Sequence, residues 1–229
     1  MSDSLIAETL NDFYNSDLKL GSDGSKYFLL QTSLTRFEVE SLIRIVREFK
    51  PERTLEVGLA LAASAIGITL AKRNNGQTAP HVCLDPFQDS GAKNSGLLEI
   101  ERLGLSKFIN HLPLYSEDYL NECNTKGRKF DFIFIDGSHT IGQAVTDAFL
   151  SDKVLSSRGI IVIHDSLLFS TSASIKYLIY EKGYHLVNER VFNFRTFFRI
   201  LKYSINIGLF YSFEVIPRIS GSLVILQKP

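Results

Sequence analysis

The sequence has no excess of charge of either sign, only two cysteines and no apolar run long enough to span a membrane. Lysine plus arginine and aspartate plus glutamate each total 25, so the net charge is zero. A nucleic-acid partner is therefore not expected, because phosphates require a clustered basic surface. Cys83 and Cys123 do not make a disulfide framework, and the acidic N-terminus has no apolar core of a secretory signal. We expect a cytoplasmic protein without a transmembrane segment.

Internal repeats and linkers rich in proline or serine are also absent, so we predict one domain over residues 1–229. Its first part, residues 1–50, is predicted to be a helical extension. In this extension Thr32 or Ser33 caps a helix that runs to Phe49.

Residues 190–213 are an aromatic-rich insertion with interleaved arginines. Burial explains most of these aromatic side chains, so we interpret the segment as a lid or a subunit interface rather than a membrane-surface helix. The same segment favours a homo-oligomer, a dimer or larger.

From residue 54 onwards, strand-like and helical stretches alternate. The predicted strands are Thr54–Gly58, His81–Asp85, Phe108–Leu112, Phe130–Asp136, Gly159–Asp165, His185–Glu189 and Ser222–Gln227. The predicted helices among them are Ser64–Lys72, Ala92–Leu103, Gln143–Leu155 and Thr171–Lys182. The central strands are apolar on both faces, which is typical of parallel strands covered by helices. This pattern predicts a doubly wound α/β fold.

The stretch Thr54–Ile68, TLEVGLALAASAIGI, begins like a nucleotide-binding turn but is poor in glycine. A dinucleotide fingerprint needs a second glycine where this chain has Ala60, because the backbone must touch the pyrophosphate. No Gly-Lys-Ser/Thr follows the strand either. Pyrophosphate and triphosphate ligands are therefore disfavoured.

An adenosine joined to an amino acid fits these residues better. Gly58 allows a sharp turn and close approach, and Glu56 can attract an ammonium group. Ser64 lies at the start of the next helix. Its side chain and the unpaired backbone N–H groups there can together hold a carboxylate. Asp85, at the end of the second strand, can accept two ribose hydroxyls. The ligand implied is S-adenosylmethionine, although Glu56 and Asp85 can also be structural caps of strand ends.

Five stretches carry a family resemblance: TLEVGLALAAS, LDPFQ, GLSKFINHLPLYSEDYL, FDFIFIDGSHT and GIIVIHDS. The chain resembles the class I S-adenosylmethionine-dependent O-methyltransferases, and among them the metal-dependent branch of catechol, caffeoyl-CoA and macrocin-type sugar enzymes. The resemblance implies a Rossmann-like, seven-stranded, mostly parallel sheet with an antiparallel last strand and helices on both faces. One departure is Ala62, where many relatives have glycine.

The resemblance also implies cofactor contacts, residue by residue. They are Glu56, Gly58, Ala60 and Ser64 at the methionine end, Asp85, Pro86 and Phe87 at the ribose, Ser116 and Glu117 beside the adenine, and Asp136.

A second group of polar residues follows two central strands: Asp136, His139, His164 and Asp165. Asp136 and Asp165 end adjacent strands, so their carboxylates should converge and repel unless a cation or a proton lies between them. A divalent ion, Mg²⁺ or Mn²⁺, held by Asp136, His164 and Asp165 resolves this repulsion and can activate a substrate hydroxyl. An imidazole titrates near neutrality, which suits His139 to a general base, the role that the family gives to a lysine or histidine there.

We therefore predict methyl transfer from S-adenosylmethionine to a hydroxyl of a small molecule, either a sugar or glycoside or another natural product. His139 and Asp136 are the predicted catalytic residues. Two alternatives stay open: a metal-independent methyltransferase, and a non-catalytic S-adenosylmethionine-binding partner or sensor protein. Asp136 can also make a turn, His139 can cap a helix, and His164 can pack against the sheet.

Overall fold

The structure is a computed structural model, and the chain divides into two compact units, Met1–Tyr115 and Ser116–Pro229. The residues that it describes are 2–29, 33–166, 168–187 and 223–229. The aromatic insertion 190–213 lies outside them, so its interpretation as a lid or interface stays a prediction, as does the single domain. In the described ranges, every helix is too short or too polar to cross a lipid bilayer.

The first unit follows the predicted alternation of strands and helices, and adds an N-terminal helix and an antiparallel hairpin. Its elements are α1 (Asp3–Tyr14), β1 (Leu18–Leu20), β2 (Lys26–Phe28), α2 (Arg36–Phe49), β3 (Thr54–Val57), α3 (Ala63–Asn74), β4 (His81–Leu84), α4 (Ser95–Arg102) and β5 (Ile109–Leu112).

The second unit continues the alternation and contains one helix, α5, that the sequence pattern did not predict. Its elements are α5 (Ser116–Thr125), β6 (Phe130–Ile135), α6 (Ile141–Val154), β7 (Leu155–Ile163), α7 (Phe169–Lys176), a π-helical turn (Tyr177–Glu181), β8 (His185–Leu186) and β9 (Val224–Gln227).

Seven of the described strands form a mostly parallel sheet in the order β5-β4-β3-β6-β7-β9-β8. Strands β3, β4 and β5 pair in parallel, as do β6 and β7. The last strand, β9, is antiparallel to both β7 and β8. The predicted Rossmann-like fold, with an antiparallel last strand and helices on both faces, is confirmed.

The central strands are buried as their apolar sequences indicate. All four residues of β3 are buried, and so are all residues of β6 except Asp131. The two polar residues of β3, Thr54 and Glu56, therefore lie in the core. A buried polar side chain costs free energy unless it has a partner, so the surroundings of these two residues are informative.

Helix α2 begins two or three residues later than predicted, because its cap is Thr35 rather than Thr32 or Ser33. Thr35 Oγ1 accepts a hydrogen bond from the Glu38 N–H (3.4 Å), and Glu38 Oε2 accepts one from the Thr35 N–H (2.9 Å). This reciprocal pair is a capping box, which satisfies two N–H groups at the start of the helix.

Strand β7 begins at Leu155, four residues before the predicted Gly159. Its pairing with β6 slips between Phe130 and Phe132. Arg158 has a left-handed φ of 60°. The early part of the strand is thus an irregular bulge, and such a segment lacks the alternation by which a strand is predicted.

Candidate functional site

The turn after β3 contains three residues with a left-handed backbone. Their φ angles are 90° at Gly58, 45° at Ala60 and 69° at Ala62. Glycine adopts this conformation freely, whereas each alanine costs about 1–2 kcal/mol. Ala62 is fully buried. The alanines are therefore tolerated in this turn only at a conformational cost that neighbouring contacts must offset.

The carboxylate of Asp85, just after β4, holds this turn in place. Its Oδ2 accepts hydrogen bonds from the backbone N–H groups of Leu59 (3.2 Å) and Ala60 (3.1 Å) and from Gln88 Nε2 (2.8 Å). Its Oδ1 accepts one from the N–H of Phe87 (2.8 Å). The residue predicted to bind ribose thus anchors the turn, and Oδ1 is the oxygen with greater capacity for a further donor.

Gln88 and Gly96 also support the turn, and sequence reasoning missed both. Gln88 Nε2 donates to the carbonyl oxygen of Ala60 (2.8 Å) as well as to Asp85. A Cβ atom at Gly96 would lie 2.4 Å from that same carbonyl oxygen. Gln88 lies three residues after Asp85, a spacing typical of a turn, so its contact with Asp85 could have been predicted from the sequence. Nothing in the sequence indicates the role of Gly96.

Glu56 is fully buried on β3, and its Oε2 lies 3.1 Å from Nε2 of His81, which is also fully buried, on β4. In the described part of the chain neither carboxylate oxygen of Glu56, nor Nε2 of His81, makes a hydrogen bond, so the two side chains approach closely without one. Cys83 is the in-register neighbour of Glu56. Burial, and then the charge of Glu56, raises the pKa of the Cys83 thiol well above its ordinary value. The thiol is therefore neutral.

The other cofactor residues predicted in the first unit lie around the same two strands. Ser64 is buried in the first turn of α3. Pro86 is partly exposed, and the ring of Phe87 is about half exposed. That ring packs edge-to-face on Tyr115, with ring centroids 5.8 Å apart. Tyr115 was not predicted from the sequence.

The ends of β6 and β7 in the second unit bring together Asp136, His139 and Asp165. One carboxylate or imidazole atom of each lies within 4.8 Å of the others. His139 Nε2 is 3.4 Å from Asp165 Oδ2. The predicted convergence of the two carboxylates is present. His164 was predicted as the third ligand, but its Nδ1 is directed at Asp136 Oδ1, 3.0 Å away.

Asp165 reaches this group through an unusual backbone conformation. Successive strand residues point to opposite faces, so a regular strand would separate Asp165 from His164. A left-handed φ of 47° at Asp165 ends the strand instead, and its Oδ2 lies 3.6 Å from His164 Nδ1. The carbonyl of Asp165 accepts hydrogen bonds from the Leu168 N–H and the Thr171 hydroxyl, which fix the turn. Such strained residues cluster at functional sites.

Ser116 and Glu117, which open α5, are joined to Gln143 and Asp147 of α6. Ser116 Oγ donates to Asp147 Oδ1 (2.5 Å), and Gln143 Nε2 lies within 3.1 Å of acceptor oxygens on Ser116, Glu117 and Asp147. Burial raises the pKa of Asp147, against the hydrogen bonds from Ser116 and Gln143. Sequence reasoning missed Gln143 and Asp147, because their role depends on how α5 packs on α6.

Residues 55–166 match a family model described as a methyltransferase domain. The matched segment runs from β3 to just beyond β7. It therefore contains the Asp85-anchored turn, the Ser116 group and the group formed by Asp136, His139 and Asp165. No curated protein matches this chain in sequence.

Solved methyltransferases share the fold at low sequence identity. A methyltransferase of Podospora anserina with SAH bound is 15% identical, with a TM-score of 0.62, over 100% of this chain and 89% of that chain. An O-methyltransferase of Bacillus cereus in complex with SAH is 13% identical, with a TM-score of 0.60, over 100% and 92%. A Staphylococcus aureus protein, provisionally described as a caffeoyl-CoA O-methyltransferase, is 11% identical, with a TM-score of 0.62, over 100% and 93%. At these identities the likeness shows the fold alone.

Gly96→Ala is expected to destabilise the protein by about 1–3 kcal/mol, because the new methyl group overlaps the Ala60 carbonyl. Gly142→Ala is the matched control, since its Cβ meets nothing within 4 Å and alanine gains up to about 1 kcal/mol in a helix. Urea unfolding of both variants measures the difference. A Gly96→Ala variant as stable as Gly142→Ala would contradict the packing of α4 on the turn.

Asp147→Asn is expected to gain stability over the wild-type protein as the pH rises. The folded-state pKa of Asp147 is raised above the ordinary value of 3.8. The wild-type protein therefore has its full stability below that value and loses part of it as the pH rises through the folded pKa. Asparagine cannot ionise and avoids this loss. Unfolding free energies at several pH values from about 3 upwards, with the exposed Asp118→Asn as control, test the sign. A difference that shrinks with rising pH would contradict the burial of this carboxyl.

Proposed function

We propose that this chain is a class I S-adenosylmethionine-dependent methyltransferase and that it transfers a methyl group to a hydroxyl oxygen of a small molecule; the methyltransferase-domain match over residues 55–166 supports the proposal. The observation that carries the proposal is the convergence of Asp136, His139 and Asp165 at the ends of two parallel strands inside the segment matched as a methyltransferase domain. Two carboxylates and an imidazole in one place suit the activation of a hydroxyl group.

The residues of the first unit fit the proposed cofactor. Glu56 has two buried oxygens without hydrogen-bond partners among the described residues, and an ammonium group such as that of methionine suits them. Gly58 keeps the turn free of a side chain where a ligand would approach. Asp85 Oδ1 retains capacity to accept a ribose hydroxyl. Ser116 and Glu117 are proposed to lie beside the adenine.

The residues of the second unit fit a divalent cation. Carboxylate oxygens suit Mg²⁺, and an imidazole in the same group extends the choice to Mn²⁺. We propose Asp136 and Asp165 as the carboxylate ligands, with His164 and His139 as the nearby imidazoles. When bound, the cation would lower the pKa of a substrate hydroxyl.

The catalytic work assigned to the chain itself is to position the acceptor and remove one proton. The bound cofactor supplies an activated methyl group. His139 is proposed as the general base. Its side chain is exposed, and its Nε2 lies 3.4 Å from Oδ2 of Asp165. This carboxylate can orient the ring and stabilise the imidazolium that forms. The left-handed turn at Asp165 fixes this carboxylate relative to β7.

One observation favours metal-independent transfer as a second candidate. His164 Nδ1 lies 3.0 Å from Asp136 Oδ1 and 3.6 Å from Asp165 Oδ2. A protonated His164 would offset the repulsion between the two carboxylates without a cation. The methyl acceptor in either case is proposed to be a hydroxylated small molecule, such as a sugar, a glycoside or another natural product, and the protein is proposed to be a cytoplasmic homo-oligomer.

Calorimetric titration of the wild-type protein with SAH tests the proposed cofactor, and titration with Mn²⁺ tests the proposed cation. We expect SAH to bind, and we expect Asp165→Asn to weaken Mn²⁺ binding at least about tenfold while SAH affinity stays within about threefold. Asp118→Asn, exposed on α5, is the control. Wild-type protein that does not bind SAH would overturn the function. If Asp165→Asn bound Mn²⁺ as tightly as the wild-type protein, the proposed cation site would be wrong and metal-independent transfer would be favoured.

His139→Ala is expected to lower the methyl-transfer rate by about 10²–10⁴-fold, because proton removal then falls to water. Transfer to a panel of hydroxylated acceptors is measured with radiolabelled S-adenosylmethionine, and SAH affinity is measured in parallel. The affinity should be unchanged. His185→Ala, an exposed histidine on β8, is the control. An unchanged rate in His139→Ala would remove the general-base assignment.

A further inference from the structure

A chain of buried polar side chains runs behind Glu56 on one face of β3 and β4. Lys72 Nζ, at the end of α3, donates to Thr54 Oγ1 (3.1 Å) and to the carbonyl oxygens of Glu52 and Ala79 (2.8 and 2.7 Å). Thr54 Oγ1 lies 2.9 Å from His81 Nδ1. The other ring nitrogen, His81 Nε2, is 3.1 Å from Glu56 Oε2.

The parallel register explains why these side chains meet. Leu55 pairs with Val82 and Glu56 with Cys83, so Thr54 lies beside His81 on the same face. Lys72, Thr54, His81 and Glu56 are all at most 2% exposed. Water therefore does not screen their interactions.

The direction of the hydrogen bonds follows from the chemistry of the groups. An ammonium group only donates, so Thr54 Oγ1 accepts from Lys72. A proton on Nδ1 would leave the lone pair of Nε2 facing a Glu56 oxygen 3.1 Å away, and the two would repel. A proton on Nε2 removes this repulsion and leaves Nδ1 to accept from the Thr54 hydroxyl.

We propose that His81 is a positioning residue for Glu56, held as the neutral Nε2–H tautomer by donation from Lys72 through Thr54. This inference rests on the proposed function, in which Glu56 receives the ammonium group of the cofactor. The relay fixes the direction of the Glu56 carboxylate, whose oxygens have no other hydrogen bond among the described residues. Cofactor affinity is then set partly by residues that never touch the cofactor.

The alternative for these residues is a metal ion, since Glu56, His81 and Cys83 also offer three ligand atoms within 4.8 Å of one another. For an ion to bind here, the Cys83 thiol would have to lose its proton against a raised pKa. The relay accounts for His81 without this step.

Thr54→Val tests the relay, because valine keeps the shape of threonine and removes the hydroxyl. We expect SAH affinity to fall about tenfold, as one oriented charge interaction is lost. Thr54→Ser returns the hydroxyl and should restore most of the affinity. His81→Gln, whose amide can donate near the position of Nε2–H, should bind better than His81→Leu.

Nitrogen NMR of the imidazole rings tests the relay separately, because a purely structural role of Thr54 would not change which nitrogen of His81 is protonated. In the ligand-free wild-type protein at pH 7, His81 should show the neutral Nε2–H pattern, and Thr54→Val should alter it. Assignment uses the His81→Gln spectrum, in which that signal is lost.

Each outcome decides a separate point. Equal SAH affinity in folded Thr54→Val, or a His81 that is cationic or protonated on Nδ1, would overturn the relay. Zinc that co-purifies with the wild-type protein in equimolar amount, and is absent from Cys83→Ser, would overturn the relay in favour of a metal site. Wild-type protein that does not bind SAH would overturn the proposed function, while the ligand-free NMR signal still decides the tautomer of His81.

Discussion

The carboxylate of Asp85 is the contact on which the candidate cofactor site of the first unit depends. A turn with two left-handed alanines does not keep its shape through backbone preference. The turn keeps its shape because the N–H groups of Leu59 and Ala60 both donate to one buried carboxylate oxygen of Asp85. The Ala60 carbonyl is held in turn by Gln88. The chain thus replaces the conformational freedom of glycine with side-chain contacts. This explains how a glycine-poor turn survives at a position where phosphate-binding proteins need glycine.

Carboxylates have three different environments in this protein. Glu56 faces a histidine at the end of a hydrogen-bonded chain that begins at Lys72. Asp136 and Asp165 lie beside two histidines at strand ends, where a cation can join them. Asp147 has hydroxyl and amide donors, and its raised pKa shows that burial outweighs them.

The parts of the fold set by local patterns were predictable from the sequence. Strands β3, β4 and β6 begin at the predicted residues, and each ends one residue before its predicted last residue: Gly58, Asp85 and Asp136 respectively. The convergence of Asp136 with Asp165 also followed, since adjacent parallel strands end at one edge of a sheet. What was missed depends on tertiary contacts. His81 becomes a partner of Glu56 only through the β3–β4 register, and Gly96 matters only because α4 packs against a carbonyl. Helix α5 was missed because its polar sequence shows little apolar periodicity.

We propose that Glu56 and Asp85 hold an adenosine-linked amino acid and that Asp136 and Asp165 hold a divalent cation. A crystal structure of the protein grown with SAH and Mn²⁺ tests this proposal most directly. We predict the ammonium group of SAH within hydrogen-bond distance of Glu56, a ribose hydroxyl on Asp85 Oδ1, and an anomalous manganese peak between Asp136 and Asp165. SAH bound away from Glu56 and Asp85, or manganese bound only at other residues, would contradict it.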